Sequence, residues 1–131
     1  MIRDVGKGSL PDEPLPVDIA ILQQMFPNNT ALVRKFGLKF IEVATDTVAE
    51  MRAAQADKAL PELGRLGHKL KSSARTIGAL GFADLCEDLE RAGINNNWSD
   101  AESLLVVIPA VLEQIARQLE KEFVQMDSQD H

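Results

Sequence analysis

The sequence predicts an all-α fold, an antiparallel four-helix bundle with one short additional helix at the N-terminal side. Apolar residues recur at three- and four-residue spacing along most of the chain, and no segment alternates for long enough to indicate a strand. Aromatic residues make up only 5% of the 131 residues, while alanine and leucine are abundant, which suits closely packed helices. The length is that of one ordinary domain.

Glycine and proline interrupt the N-terminal residues, so residues 1–16 are predicted to be a flexible leader. We expect one folded domain over residues 17–127 and a polar tail over residues 128–131. Because the sequence starts at Met1 and shows no second domain, a free-standing protein is expected.

The first predicted helix spans residues 18–26, since Pro27 follows it. The second helix starts after a capping residue among positions 28–30 and ends near Gln55. Its apolar spacing predicts a buried stripe consisting of Leu32, Phe36, Phe40, Val43 and Thr47.

The third predicted helix has Asp57 as its cap and Pro61 in its first turn, where a missing N–H does no harm. The chain should turn at Gly78 and Gly81. Between these points lies the apolar stripe of the helix: Leu63, Leu66, Leu70, Ala74 and Ile77.

The fourth predicted helix ends at Gly93, where a run of asparagines follows. Ser99 or Asp100 can cap a fifth helix that reaches about Met126. Pro109 lies inside this helix and predicts a kink or an interruption. The predicted buried positions of the fourth helix are Phe82, Leu85, Cys86 and Leu89.

Composition disfavours several classes of function. The formal net charge is −6, from 20 acidic and 14 basic residues, whereas nucleic-acid-binding proteins usually carry a basic excess. The single cysteine, Cys86, cannot form an internal disulfide, and we expect it to pack in the core. No apolar run is long enough for a signal sequence or a membrane span, so a cytoplasmic protein without a membrane partner is expected.

One histidine deserves consideration as a reactive group. His131 ends a polar tail, so His68 is the interior imidazole. At about 100° per residue, His68 lies on the order of 150° from the centre of the apolar stripe, and its side chain should point to solvent. Residues 63–83 contain four cations and no acidic residue. The residues one or two turns away on the side of His68 are Gly64, Arg65, Lys71, Ser72 and Arg75.

An imidazole that is neutral near pH 7 is a competent nucleophile. Its attack on a phosphoryl group gathers negative charge on the phosphoryl oxygens, which nearby cations stabilise. Lys71, one turn beyond His68, is the best-placed cation. Lys69 and Arg75 can assist, steer an acidic partner, or simply form a solvated face.

Small residues flank this imidazole. Gly64 and Ser72 leave room beside His68 for a partner, whereas Gly67 lies nearer the apolar stripe and favours close helix–helix packing. A metal site is disfavoured because one imidazole without cysteine or nearby carboxylate ligands is insufficient.

The run from His68 to Ala79, His-Lys-Leu-Lys-Ser-Ser-Ala-Arg-Thr-Ile-Gly-Ala, closely resembles the signature of histidine-containing phosphotransfer (HPt) domains. The shared features are the histidine, the lysine at +3, the small residue at +4 and the glycine at +10. The continuation through residues 80–90 is similar to the next helix of that family, with Leu85, Cys86, Leu89 and Glu90.

The resemblance implies a four-helix bundle with a short N-terminal helix packed across one end. It also implies that the protein accepts phosphate from an aspartate of one receiver domain and passes it to an aspartate of another. By position, His68 is then the phospho-acceptor and Lys71 neutralises the phosphoryl group. Many members carry glycine where this chain has Ser72, whose hydroxyl is able to hydrogen-bond the imidazole or the phosphate.

The implied partners are receiver domains of a hybrid sensor kinase and of a response regulator, with the protein acting as a monomer. No cofactor is expected on this chain, and Mg²⁺ belongs to the partner receiver domain. The sequence lacks a Gly-x-x-x-x-Gly-Lys loop, in agreement with a family that has no nucleotide site. Such a protein is a phosphorylated intermediate without autokinase activity, and whether to call it an enzyme is a matter of definition.

Two alternatives remain open at this level. A dimerising histidine-kinase helix pair also exposes a phospho-accepting histidine, but it usually continues with an acidic residue and a proline, whereas here Lys69 follows. A helical adaptor would leave the histidine incidental. Leu38 and Ile41 lie off the main apolar stripe, and we expect them to pack under the first helix or else to form part of a docking patch.

Overall fold

The computed structural model describes residues 16–129, and within this range the chain forms helices and no strands. Sequential helices pack on each other and the last packs back on the second, which gives an antiparallel bundle and confirms the predicted fold class. Residues 1–15 of the predicted leader and the last two residues of the predicted tail lie outside the described residues. The helices are α1 (Ile19–Met25), α2 (Thr30–Ala56), α3 (Leu60–Thr76), α4 (Leu80–Ile94) and α5 (Trp98–Gln129).

The short helix α1 is held at the end of the bundle where α3 turns into α4. The side chain of Asp18 caps α1 by accepting from the Ala20 N–H. The backbone N–H of Asp18 donates to the Gly78 carbonyl at 2.9 Å. The backbone of Val17 makes two hydrogen bonds of 2.8 Å with the Gln118 side chain on α5. No helix in the described part of the chain is long and apolar enough to cross a membrane.

The buried stripe of α2 differs from the prediction. Phe36 is 42% exposed and stacks on Phe26, with 4.7 Å between ring centroids. The side of α2 that faces the core includes small residues next to the predicted positions, such as Gly37 beside Phe36. A Cβ added to Gly37 would lie only 2.6 Å from the Phe123 ring. A prediction weighted by large apolar side chains misses such positions. The buried residues of α2 are Val33, Gly37, Phe40, Ala44, Thr47, Val48, Met51 and Ala54.

The off-stripe residues of α2 also correct the prediction. Leu38 is 48% exposed, so it does not pack under α1. Ile41 is half-buried and lines a groove between α2 and α5, opposite Leu112.

The stripe predicted for α3 is confirmed, since all five residues are buried. The cap differs: Asp57 ends α2, and α3 begins after Ala59, which makes no side-chain capping bond, with Pro61 in the first turn. Gly78 ends α3 with φ +86°, the left-handed conformation expected of a helix-terminating glycine. Gly81, by contrast, lies within α4.

The last helix starts earlier and continues further than predicted. The cap is the Asn97 side chain, which accepts from the Asp100 N–H at 3.0 Å, instead of Ser99 or Asp100. The helix passes through Pro109 without interruption and ends at Gln129, beyond Met126. A proline costs one helical hydrogen bond, and packing of the long apolar face outweighs that cost.

Glycines bring α3 and α4 into close contact. A Cβ added to Gly67 would lie 2.5 Å from the Cys86 carbonyl oxygen, and one added to Gly93 would lie 2.8 Å from the Gly64 Cα. The close helix–helix packing predicted at Gly67 is therefore confirmed. These contacts fix the register of the two antiparallel helices and decide which α4 side chains reach the exposed face of α3.

Candidate functional site

The exposed side of α3 carries His68, and this follows from the burial of the opposite side. Because the apolar stripe faces the core, the imidazole points away from it, with 65% of its side chain exposed. The orientation predicted from helical geometry is therefore observed.

Glu90 of α4 binds the imidazole and the nearest lysine at the same time. Its Oε2 lies 2.8 Å from His68 Nδ1, and its Oε1 accepts from Lys71 Nζ at 2.5 Å. The Glu90 and Lys71 side chains are only 22% and 19% exposed. Three groups from two helices thus form one connected site, with the histidine as its most exposed member.

The protonation state of the site follows from these contacts. Hydrogen bonding from Lys71, followed by that from His68, lowers the pKa of Glu90 below the usual 4.5, although partial burial opposes the shift. The carboxylate is therefore ionised at neutral pH and is able only to accept. His68 Nδ1 must therefore donate to Glu90, and in the neutral tautomer that makes this bond the lone pair lies on Nε2.

The remaining cations near His68 are paired as well. Lys69 lies 3.6 Å from Glu50 of α2, and Arg75 lies 2.5 Å from Glu87 of α4. Arg65 pairs with Glu62 one turn earlier in α3, at 2.5 Å. The segment that is purely basic in sequence is thus neutralised by glutamates, most of them from other helices.

These ion pairs differ in the number of contacts that hold each cation. The Lys69 and Arg65 pairs are about half exposed, and exposed pairs contribute little to stability because solvent screens them. Glu87 also accepts from Arg91 at 3.0 Å, and its two arginine partners lower its pKa. Arg75 is therefore held in a small network with Arg91, whereas Lys69 contacts one glutamate and Arg65 makes two hydrogen bonds with Glu62.

The small residues predicted beside the histidine lie in different environments. Ser72 is exposed on the open side of α3, one turn beyond His68. Gly64 is buried, because a Cβ there would lie 3.2 Å from the Gly93 Cα and 3.3 Å from the Glu90 carbonyl oxygen. Its lack of a side chain serves helix contact and does not open the face around the imidazole. Gly78 has a structural role in the turn after α3, as predicted, and is not part of the His68 site.

The involvement of Glu90 with both His68 and Lys71 is the feature that reasoning from α3 alone misses. Glu90 lies 22 positions from His68, so helical spacing within α3 gives no indication of it. The glycines that bring α3 and α4 together were the available indication in the sequence that an α4 side chain reaches His68.

Two other candidate chemistries are disfavoured by the described residues. Among them, no group of three or more histidine, cysteine or acidic side chains is arranged to hold a metal ion. Burial raises the pKa of the Cys86 thiol to about 12.

Comparisons with known proteins agree with the resemblance seen in the sequence. A family model described as Hpt domain matches residues 38–129. The crystal structure of histidine-containing phosphotransfer protein B from Pseudomonas aeruginosa PAO1 is similar with a TM-score of 0.77 and 16% sequence identity, over 86% of this chain and 98% of that one. At that identity the match shows the shared fold, and no curated protein sequence matches significantly. Because the family model covers more than half of the chain, the chain belongs to the Hpt domain family, the histidine phosphotransfer proteins of phosphorelays.

Proposed function

We propose that His68 is the phospho-acceptor and that it relays a phosphoryl group between aspartates of two receiver domains. The observation that carries this proposal is the exposed imidazole whose Nδ1 is bound by Glu90 while Lys71 lies against the same carboxylate. His68 is 65% exposed, so the aspartyl phosphate of a partner has access to it.

The transfer of the phosphoryl group to His68 requires no general base, because no proton has to be removed from the attacking nitrogen. The Nε2 lone pair of His68 attacks the phosphorus, the bond from phosphorus to the aspartate oxygen breaks, and the electron pair leaves on the aspartate carboxylate. The imidazole becomes cationic and keeps its Nδ1 proton, which Glu90 already accepts. In the reverse step the same imidazole leaves as a neutral group, and a second receiver aspartate takes the phosphoryl.

Lys71 has two negatively charged partners available in succession. In the unphosphorylated protein its ammonium binds Glu90 Oε1. Once a phosphoryl group stands on Nε2, its oxygens offer a competing acceptor one turn away, and a lysine side chain has the reach to contact both. Lys71 therefore offsets the phosphoryl charge, while Glu90 keeps the imidazole oriented.

The partners of this exchange are receiver domains, one from a hybrid sensor kinase and one from a response regulator. Mg²⁺ belongs to those receivers, and this chain needs neither a cofactor nor ATP. The protein works in the cytoplasm as a monomer. The absence of a Gly-x-x-x-x-Gly-Lys loop in the sequence supports a protein that needs no ATP, and a single cysteine fits a reducing compartment.

A transfer assay tests the proposal. Purified receiver domains, phosphorylated with radiolabelled acetyl phosphate in the presence of Mg²⁺, are mixed with wild type, His68→Gln, Lys71→Ala and Lys69→Ala. We expect acid-labile label on the wild type, none on His68→Gln, and transfer slowed at least about tenfold in Lys71→Ala. Lys69→Ala is the matched control, because its exposed pair with Glu50 lies outside the Glu90 site.

Two results would contradict the proposal. One is transfer to His68→Gln at the wild-type rate. The other is no transfer to the folded wild type from any receiver in a broad panel, which would favour the adaptor interpretation.

A further inference from the structure

Ile94, the last residue of α4, is one of the most exposed apolar side chains in the described part of the chain, at 75%. It follows Glu90 by four positions, so the two residues lie one turn apart on the same side of α4. Glu90 binds His68 directly. An exposed isoleucine therefore lies one helical turn from the carboxylate that holds the reactive imidazole.

The tilt of side chains toward the N-terminus of each helix brings Ile94 and His68 closer together. Side chains in a helix tilt toward its N-terminus, so the imidazole of His68 leans toward the level of Gly64. Gly64 contacts Gly93, the residue just before Ile94. The exposed ring and the exposed isoleucine therefore share one end of the groove between α3 and α4.

Direct phosphoryl transfer requires a partner to cover this region. The reacting atoms must approach within about 3–3.5 Å, so a receiver has to lie against His68 itself. Even a small interface of about 500 Å² per partner, centred on His68, extends about 13 Å in each direction, which exceeds two helical turns. Ile94 falls inside that footprint.

The chemistry around Ile94 is that of an interface. Its neighbours Arg91, in the same turn of α4, and Asn95, the C-cap residue that follows, are both exposed and polar. An apolar centre with a polar rim is the usual anatomy of a protein–protein contact, and burial of an exposed apolar side chain is the term that favours association.

Resting on the phosphotransfer proposed above, we infer that Ile94 is an apolar anchor for the receiver domains that exchange phosphate with His68. The docking surface then extends from α3 onto the last turn of α4. Ile94 touches no reacting atom, so its contribution is to binding of the partner and not to the chemical step.

The chain offers a closely matched control residue. Val106 of α5 is 74% exposed, nearly the same as Ile94. The described helices place α3 and α5 on largely separate sides of the bundle, since α3 packs mainly on α4 and α2. Val106→Ala therefore removes an equally exposed apolar side chain away from the histidine.

The test measures the initial rate of phosphoryl transfer against protein concentration, with receiver domains phosphorylated by acetyl phosphate in Mg²⁺ as the probe. For Ile94→Ala we expect a half-saturating concentration about tenfold higher, whereas Ile94→Leu and Val106→Ala stay within about twofold of wild type. The hydrolysis rate of the phosphohistidine, which needs no receiver, should be equal in all four proteins. Thermal unfolding checks that each variant is folded.

The outcomes separate this inference from the proposed function. Transfer that proceeds equally well in Ile94→Ala and Val106→Ala overturns the role of Ile94 and leaves phosphotransfer through His68 standing. A changed phosphohistidine lifetime in Ile94→Ala also overturns it, because the residue then acts on the chemistry. No transfer to wild type from any receiver overturns both.

Discussion

Substitution of Gly67 by alanine tests whether close contact between α3 and α4 builds the site. An added Cβ would lie 2.5 Å from the Cys86 carbonyl oxygen and 3.1 Å from the Glu90 amide nitrogen. Real Cβ atoms essentially never approach another atom closer than 3.0 Å, so α3 and α4 must separate by at least 0.5 Å. The neighbours are backbone atoms, which have no rotamer by which to move aside.

Two opposing contributions set the magnitude. Alanine is favoured over glycine within a helix by about 1 kcal/mol. Overpacking a close contact costs about 1–3 kcal/mol, and the upper part of that range applies here because the obstacle is backbone. We therefore expect Gly67→Ala to lower the free energy of unfolding by about 1–2 kcal/mol, which corresponds to about 4–8 °C in Tm.

The same displacement acts on the site. The Glu90 backbone lies directly against the new methyl group, so the 2.8 Å contact between Glu90 and His68 Nδ1 should lengthen beyond good hydrogen-bond distance. Phosphotransfer to His68 should slow in the folded variant.

Urea unfolding followed by circular dichroism measures the stability, with Gly81→Ala as the control. A Cβ added at Gly81 meets nothing within 4 Å, so that variant should gain at most the helix-interior value of about 0.5–1 kcal/mol, because Gly81 lies in the first turn of α4. Equal stabilisation of both variants would show that α3 and α4 are not in close contact at Gly67.

Three further predictions concern the turn at Gly78, the buried Cys86 thiol and the decrease in stability at acidic pH. Gly78→Ala should destabilise the fold by about 2 kcal/mol in thermal unfolding, since alanine is strained at φ +86° and its Cβ would press on the Asp18 carbonyl oxygen. Cys86 should resist alkylation by iodoacetamide at pH 8 until urea unfolds the protein, because burial raises the pKa of its thiol to about 12; rapid labelling of the native protein, seen by mass spectrometry, would contradict this. The lowered pKa of Glu90 means that its pair with Lys71 stabilises the fold above pH 4.5 and that this contribution is lost as the pH falls through the lowered value. In a plot of unfolding free energy against pH, Glu90→Gln should therefore lose less stability than wild type as the pH falls below 4.5. An equal loss in both proteins would show that the pair of Glu90 with Lys71 does not stabilise the fold.

The fold and the direction of His68 are predictable because the information is local. The five residues of the stripe predicted for α3 are all buried, and all but Ala74 are Leu or Ile, so the stripe is unambiguous and the exposed side follows from it. In α2 the core positions include Gly37 and Ala44, which carry little hydrophobic weight. The prediction there chose Phe36, an exposed residue that packs on another phenylalanine instead.

The electrostatics of the site are not predictable from the segment that carries it. The run of cations along α3 indicates a basic surface, yet the fold pairs three of them with Glu50, Glu87 and Glu90 from α2 and α4. Which carboxylate meets which cation depends on the register between helices. That register is set by glycine contacts such as that of Gly67 with α4, which leave no periodic pattern in the sequence.

The position of the phosphoryl group shows directly whether His68 is the phospho-acceptor. After transfer from a phosphorylated receiver, nuclear magnetic resonance of the ¹⁵N-labelled protein identifies the nitrogen bonded to phosphorus. Because Glu90 holds the Nδ1 proton of His68, the phosphorus is predicted on Nε2 of that residue, with none elsewhere. Phosphorus on Nδ1, on His131 or on any other side chain would show that His68 Nε2 is not the acceptor.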